Sequence, residues 1–263
     1  MTATLRLVRP DNDFASALET EGFSAFHGEN VVLSDVAVRI PRGGVTAIVG
    51  PSGAGKSTLL RAFNRMNADV AGYSESGALR LAGDDLSGLP DTELRARVGM
   101  VFQQPCVFPT TIFRNVVFGL QHKRLPKAEL RERAGQALRR VGLWDEVRSR
   151  LDRSADELSL GQKQRLCIAR ALAVEPDVLL MDEPTASIDP RSVKVVEALI
   201  RELAGEYTVV IVTHDIRQAR RVSDTLAFLC EGELVECGPT AELFARARDE
   251  RTRGYLTEAV CDC

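Results

Sequence analysis

Three short stretches of the chain carry continuous apolar runs: VTAIVG (Val45–Gly50), VLLMDEP (Val178–Pro184), which ends in two acids, and TVVIVTHD (Thr208–Asp215), which ends in Thr-His-Asp. None alternates polar with apolar, so each reads as a strand buried on both faces. The pattern around them switches to the helical period. In LLRAFNRM, Leu59, Leu60, Phe63 and Met66 fall on one helical face; QRLCIARALAV precedes the second run, and VKVVEALIREL separates the second from the third. Strands alternating with helices predict a parallel sheet covered on both sides. Such sheets bind ligands at the carboxyl ends of their strands. That edge would carry Gly50–Ser57, Asp182, Glu183 and His214.

The middle of the chain behaves differently. From Pro105 to about Asp156 no buried strand stands out, and Leu130, Ala134, Ala137, Leu138 and Val141 form one helical stripe. The expected organisation is an α/β core at 23–104 and 166–242. An inserted, mainly helical lobe occupies 105–165, an N-terminal extension 1–22, and a C-terminal helix and tail 243–263. Ala78–Leu81 and Leu226–Cys230 are expected to add small antiparallel strands.

Composition narrows the possible partners. The 263 residues include 34 basic and 37 acidic side chains, a formal net charge of −3. A nucleic-acid partner is therefore not expected. No apolar run approaches the roughly 20 residues that span a bilayer. The opening MTATLRLVRPDNDF lacks the hydrophobic core of a secretion signal, so any membrane role has to come through a partner. The six cysteines form no CxxC pair and are expected to be free thiols in a reducing compartment. Cys261 and Cys263, framing Asp262 in the tail, make a poor closed metal site.

Chemistry concentrates in a few stretches. Gly50-Pro51-Ser52-Gly53-Ala54-Gly55-Lys56-Ser57, with Thr58 next in the helix, matches G-x-x-x-x-G-K-[ST] between a predicted strand and a predicted helix. Glycines let the backbone wrap phosphates with N–H groups, and the helix start adds positive potential. Lys56 would reach the β- and γ-phosphates and Ser57 would ligate Mg²⁺. Asp182 would hold the same ion through water, and Glu183 would act as general base on the attacking water. His214 would contact the γ-phosphate, and Gln103 in GMVFQQP would ligate Mg²⁺ or orient water. LSLGQ (Leu158–Gln162) opens a helix whose first N–H groups form an anion site, with Ser159 as its cap. A glycine turn that binds nothing, a strand-end histidine and a solvated loop glutamine are the plain alternatives for these residues taken singly.

Together and in this order, the motifs resemble the ATP-binding subunit of ABC transporters. The resemblance runs from about Glu21 to Glu242 and implies an ABC-type P-loop NTPase fold. It identifies Gln103 as the Q-loop, Leu158–Gln162 as the signature, Ser187-Ile188-Asp189 as the D-loop and His214 as the switch histidine. It further implies a dimer of two copies that sandwiches two ATPs. Each copy's Ser159, Leu160, Gly161 and Gln162 would face the nucleotide held by the other. The cofactors would be ATP and Mg²⁺. The partners would be polytopic membrane permease subunits and, through them, an extracytoplasmic solute-binding protein. The chain would sit peripherally at the cytoplasmic face of the membrane. Two departures stand out: Leu160 replaces the first of two usual glycines, and Phe26-His27 stands where an adenine-stacking aromatic is usual. A narrower likeness, to phosphate-import ATPases, rests on NRMN after the P-loop and on the Phe-Pro after Gln103. An ATPase for another solute, an exporter and a soluble ABC machine are the alternatives.

Overall fold

The computed structural model describes residues 16–258. Residues 1–15 of the expected N-terminal extension and the Cys261–Cys263 tail lie outside them. Among the described residues the strands form two sheets. One is antiparallel, with β2 (Asn30–Val36), β1 (Ser16–His27), β5 (Tyr73–Leu81) and β6 (Asp84–Asp85) in that order and β3 (Arg39–Pro41) also paired to β1. The other runs β11 (Glu233–Pro239), β10 (Thr225–Cys230), β4 (Val45–Val49), β9 (Thr208–Val212), β8 (Val178–Asp182), β7 (Val98–Val101), and all its pairs are parallel except β10–β11. The helices are α1 (Lys56–Ala62), α2 (Asp91–Arg97), α3 (Ile112–Val116), α4 (Lys127–Arg140), α5 (Trp144–Val147), α6 (Leu160–Leu172), α7 (Pro190–Leu203), α8 (Ile216–Val222), α9 (Thr240–Arg246) and α10 (Glu250–Glu258).

The three apolar runs become β4, β8 and β9, and every residue of these strands is buried. Their side chains divide by parity between two cores. Ala47, Val49, Leu179, Met181, Val209 and Ile211 face α7 and the helical lobe. Ile48, Val178, Leu180, Val210 and Val212 face α1 and the antiparallel sheet. Each of these side chains larger than Ala47 contributes about 1.5–3 kcal/mol on burial, so the layered order follows from strands with no polar face. Asp189 and Pro190 start α7 as cap and first helical residue.

Several expectations shift. The helix after the P-loop stops at Ala62 rather than reaching Met66, and Arg65 has φ 55°. Polar side chains compete with the helix there: Asn67 Nδ2 donates to the Thr58 carbonyl (2.8 Å) and Arg65 to that of Leu89 (2.8 Å). Leu226–Cys230 pairs antiparallel with β11, as expected, but also pairs in parallel with β4, which makes it part of the main sheet. It follows a helical crossover through α8, and such a crossover returns the chain parallel. Ala78–Leu81 is the end of the longer antiparallel β5. β1 begins at Ser16, before residue 22, with Ala17 and Leu18 buried. α6 crosses residue 165 without a break, so core and lobe share a helix. Cys106, Cys167 and Cys237 are free thiols, whereas Cys230 is disulfide-bonded, against the expectation for it.

Candidate functional site

β4 ends at Val49 and the chain turns through Gly50–Gly55 into α1. Gly50 (φ 152°), Gly53 (φ 83°) and Gly55 (φ 90°) adopt backbone conformations that favour glycine. A Cβ on Gly50 would collide with the Leu229 carbonyl of β10, and one on Gly55 would lie 2.9 Å from the Val32 carbonyl of β2. A Cβ on Gly53 would meet nothing within 4 Å. The loop is thus wedged at two glycines and open at the third, where its backbone can approach a ligand. Pro51 and Ala54 complete the wedge: the Ala54 N–H donates to the Pro51 carbonyl (3.3 Å), while Ser52 is exposed.

Lys56 is buried, and its Nζ donates to the carbonyls of Gly50 (2.8 Å) and Pro51 (2.7 Å). Burial lowers its pKa, and Glu183 and Asp182 oppose that shift. Both of its hydrogen-bond partners are neutral carbonyls, and its third N–H is left for an anion in the loop. Beside it, Ser57 Oγ donates to Asp182 Oδ1 at 2.7 Å, and Arg61 pairs with Asp182 Oδ2 at 2.8 Å. A buried carboxylate beside a hydroxyl is a hard oxygen donor set, and it fits Mg²⁺.

Adjacent strands bring the remaining groups to the same edge. Glu183 follows β8 with φ 45°, and its N–H is held by the Val212 carbonyl of β9 (2.9 Å). A left-handed, non-glycine residue persists only where its surroundings over-determine it. His214 Nδ1 stands 3.1 Å from Glu183 Oε2. Gln103 lies just beyond β7, exposed; among the described residues no hydrogen bond joins it to this cluster. Phe26 is half-buried and His27 exposed near the tip of the β1–β2 hairpin. The same β2 carries the Val32 carbonyl that crowds Gly55.

The signature stretch is built as a capping box. Ser159 Oγ accepts from the Gln162 N–H (3.3 Å) and Gln162 Oε1 accepts from the Ser159 N–H (3.0 Å). Gln162 Nε2 is also anchored on Glu146 (2.7 Å). Leu160 is the first residue of α6 and 53% exposed, outside the positive-φ region. Gly161 is pressed onto α7: a Cβ there would lie 2.6 Å from Ser192 Cβ. Ser192 Oγ in turn donates to Asp189 Oδ2 (2.6 Å), the cap of α7 that follows Ser187 and Ile188. The signature and the Ser187–Asp189 loop are therefore packed together, and among the described residues no hydrogen bond links either to Gly50–Ser57.

Two contacts escape sequence reasoning. Arg61 lies four residues after Ser57, on the same helical face, a spacing that could have flagged it. Tyr255, whose hydroxyl donates to the Gly50 carbonyl at 2.9 Å, is 205 positions away and carries no signal of its own.

Residues 33–186 match the family described as ABC transporter. Over 246 residues the chain is 47% identical to the phosphate import ATP-binding protein PstB of Thermotoga maritima, covering 92% of this chain and 98% of that one. Among solved structures it is similar to cbiO1 of Clostridium perfringens, described as part of the ABC transporter complex cbiONQ. That likeness has a TM-score of 0.77 and 32% identity, and covers 93% of this chain and 96% of that one. A second likeness is to the ATP-binding cassette MJ0796, in a dimeric post-hydrolysis state bound to ADP and Pi (TM-score 0.72, 30% identity, 85% of this chain and 98% of that one). Sequence and fold agree along nearly the whole length, and the chain belongs to the ABC transporter family of ATP-binding proteins.

Proposed function

We propose that this chain is the ATP-hydrolysing subunit of a membrane importer whose solute is inorganic phosphate. The observation that carries the reading is the 47% identity spanning 98% of a phosphate import ATP-binding protein. Phosphates would lie over the open backbone at Gly53, where the remaining N–H of Lys56 would meet them. Ser57 and Asp182, with Gln103, would hold Mg²⁺, which when bound neutralises charge on the phosphate oxygens. Glu183 would take the proton of the attacking water. His214, already within reach of Glu183, would orient it and contact the γ-phosphate.

The signature would act in trans. Ser159 and Gln162 are committed to capping α6, so the first amides of that helix and its dipole are what a second copy's nucleotide would meet. Permease subunits would dock on the helical lobe beside the Gln103 loop, where Phe118 is exposed and its ring lies 4.3 Å from Phe108. Among the described residues no helix is long and apolar enough to cross a membrane, so attachment would be peripheral, at the cytoplasmic face.

The solute is tested by uptake of radiolabelled phosphate in cells lacking the chain. Loss of high-affinity uptake, restored by the wild-type chain, is expected; unchanged uptake sinks the phosphate reading. Leu160→Gly tests the trans arrangement. The exposed leucine packs little within its own subunit, so the nucleotide-free Tm is expected to stay within about 4 °C. ATP-driven dimerisation should weaken about ten-fold, the value of one apolar side chain covered at an interface. Sedimentation in the presence of ATP measures it, and an unchanged dimer constant would place Leu160 outside the interface.

A further inference from the structure

Between Val101 and Ile112 the chain forms no helix or strand, and it lies along one side of α6. Three side chains of α6 hold it there. Gln164 Nε2 donates to the Phe102 carbonyl at 3.4 Å and Cys167 Sγ to the Cys106 carbonyl at 3.5 Å. The Arg170 guanidinium stands 4.6 Å from the centre of the Phe108 ring. Successive members are three residues apart, so they form one stripe of the helix. The middle contact brings two free thiols side by side, Cys106 exposed and Cys167 buried. Arg170 Nη2 also donates to the Cys167 sulfur, at 3.6 Å.

Burial raises the pKa of Cys167, and the Arg170 charge opposes that shift. A buried, protonated thiol is a poor first target for an oxidant in solvent, so Cys106 is the one such an oxidant meets. We propose that Cys106 and Cys167 are a peroxide-sensitive thiol pair, whose disulfide fastens the Gln103 loop to α6 and stops ATP hydrolysis. The chemistry takes two steps. The Cys106 thiolate attacks one oxygen of hydrogen peroxide; the O–O bond breaks, and hydroxide leaves to become water with the proton Cys106 gave up. Cys106 is then a sulfenic acid. The Cys167 sulfur attacks the Cys106 sulfur; the S–S bond forms, the S–O bond breaks, and hydroxide departs as water with the Cys167 proton. Arg170 stabilises the negative charge that gathers on the Cys167 sulfur as that proton leaves. In sum the two thiols lose two electrons and hydrogen peroxide becomes two waters. The loop has no regular structure, so its backbone can make the adjustment that disulfide geometry requires.

The inhibition rests on the reading that Gln103 has to reach Mg²⁺. Gln103 is exposed and joined by no hydrogen bond to the Glu183–His214 cluster among the described residues, so the loop has to shift on α6 to deliver it. A disulfide three residues beyond Gln103 removes that freedom and leaves Gly50–Ser57 untouched.

The test treats the reduced chain with hydrogen peroxide, blocks the remaining thiols and identifies the digested peptides by mass spectrometry. A linked peptide carrying Cys106 and Cys167, lost again on treatment with dithiothreitol, is expected. ATPase activity of the same sample should fall at least about ten-fold, as for a misplaced catalytic loop, and return with dithiothreitol. ATP binding measured without Mg²⁺ should not change. In Cys106→Ser, an exposed substitution, basal ATPase should match the wild type and peroxide should leave it there. A linked peptide that never forms overturns the proposal, as does an ATPase loss that persists in Cys106→Ser. Hydrolysis that continues at the reduced rate in the linked protein overturns the inhibition. If the reduced wild type hydrolyses no ATP, the ATPase reading itself falls, and the linked peptide still decides the thiol pair.

Discussion

Glu183→Gln is expected to abolish turnover while leaving nucleotide binding intact. The amide is nearly the same size as the carboxylate, so the residue can keep its backbone bond to the Val212 carbonyl and its left-handed conformation. It can still accept from His214, 3.1 Å away in the present arrangement. What it cannot do is take a proton from water. General-base catalysis is worth about 10²–10⁴-fold, and the single-turnover rate should fall by that factor. Lys56 loses one of the two carboxylates that favour its charged form, yet Asp182 remains beside it. ATP should therefore still bind, and the bound state should accumulate as a closed dimer. Rapid-quench measurement of ATP cleavage, paired with nucleotide retention on a sizing column, separates the two effects. Cleavage at the wild-type rate would remove Glu183 from the general-base role and move attention to His214.

How much of this was legible in the sequence depends on the range of each interaction. β4, β8 and β9 could be read because uniform apolar runs have one physical explanation, burial on both faces. The clustering of the P-loop, Asp182–Glu183 and His214 at one edge followed from the parallel sheet those runs imply. β7 stayed hidden because four residues at the sheet edge, one of them Gly99, give too short a pattern. Leu226–Cys230 was readable as a strand but not as to its partner, because its direction is set by the crossover through α8. The helical spacing of LLRAFNRM outlasts the P-loop helix itself, because Asn67 and Arg65 bond elsewhere. At the site, motif spacing located the local pieces. It was silent on Tyr255, which reaches Gly50 only through the packing of α10 on β10. It was equally silent on why the signature keeps a glycine at 161 and tolerates a leucine at 160. The answer lies on α7, some thirty residues further along, where Ser192 occupies the space a side chain on Gly161 would need, whereas the Leu160 side chain is exposed.

That packing gives the second large effect. Gly161→Ala adds one carbon that would stand 2.6 Å from Ser192 Cβ and closer still to its hydroxyl. Neither atom is the free end of a long side chain, so α6 and α7 have to move apart. Overpacking of this kind costs about 1–3 kcal/mol, and a lower Tm is expected. The larger consequence is positional. α6 presents the signature amides and α7 begins at Asp189, so separating them would misplace both surfaces that the proposed dimer offers to a second copy. A displacement of about 1 Å can cost roughly 10²-fold in rate, and ATPase activity should drop by about that much. Two explanations of the glycine then compete: crowding by α7 in the same chain, or close approach to the nucleotide of the other. Ser192→Gly separates them. It removes the carbon and the hydroxyl that Gly161→Ala would strike, at a cost of up to about 1 kcal/mol for glycine in a helix. If crowding is the cause, the double variant should recover at least about ten-fold of the lost activity, with a coupling of 1 kcal/mol or more in the stability cycle. If the double variant is as inactive as Gly161→Ala alone, the space that matters is on the nucleotide side, and the contact with Ser192 is only where the helix comes to rest.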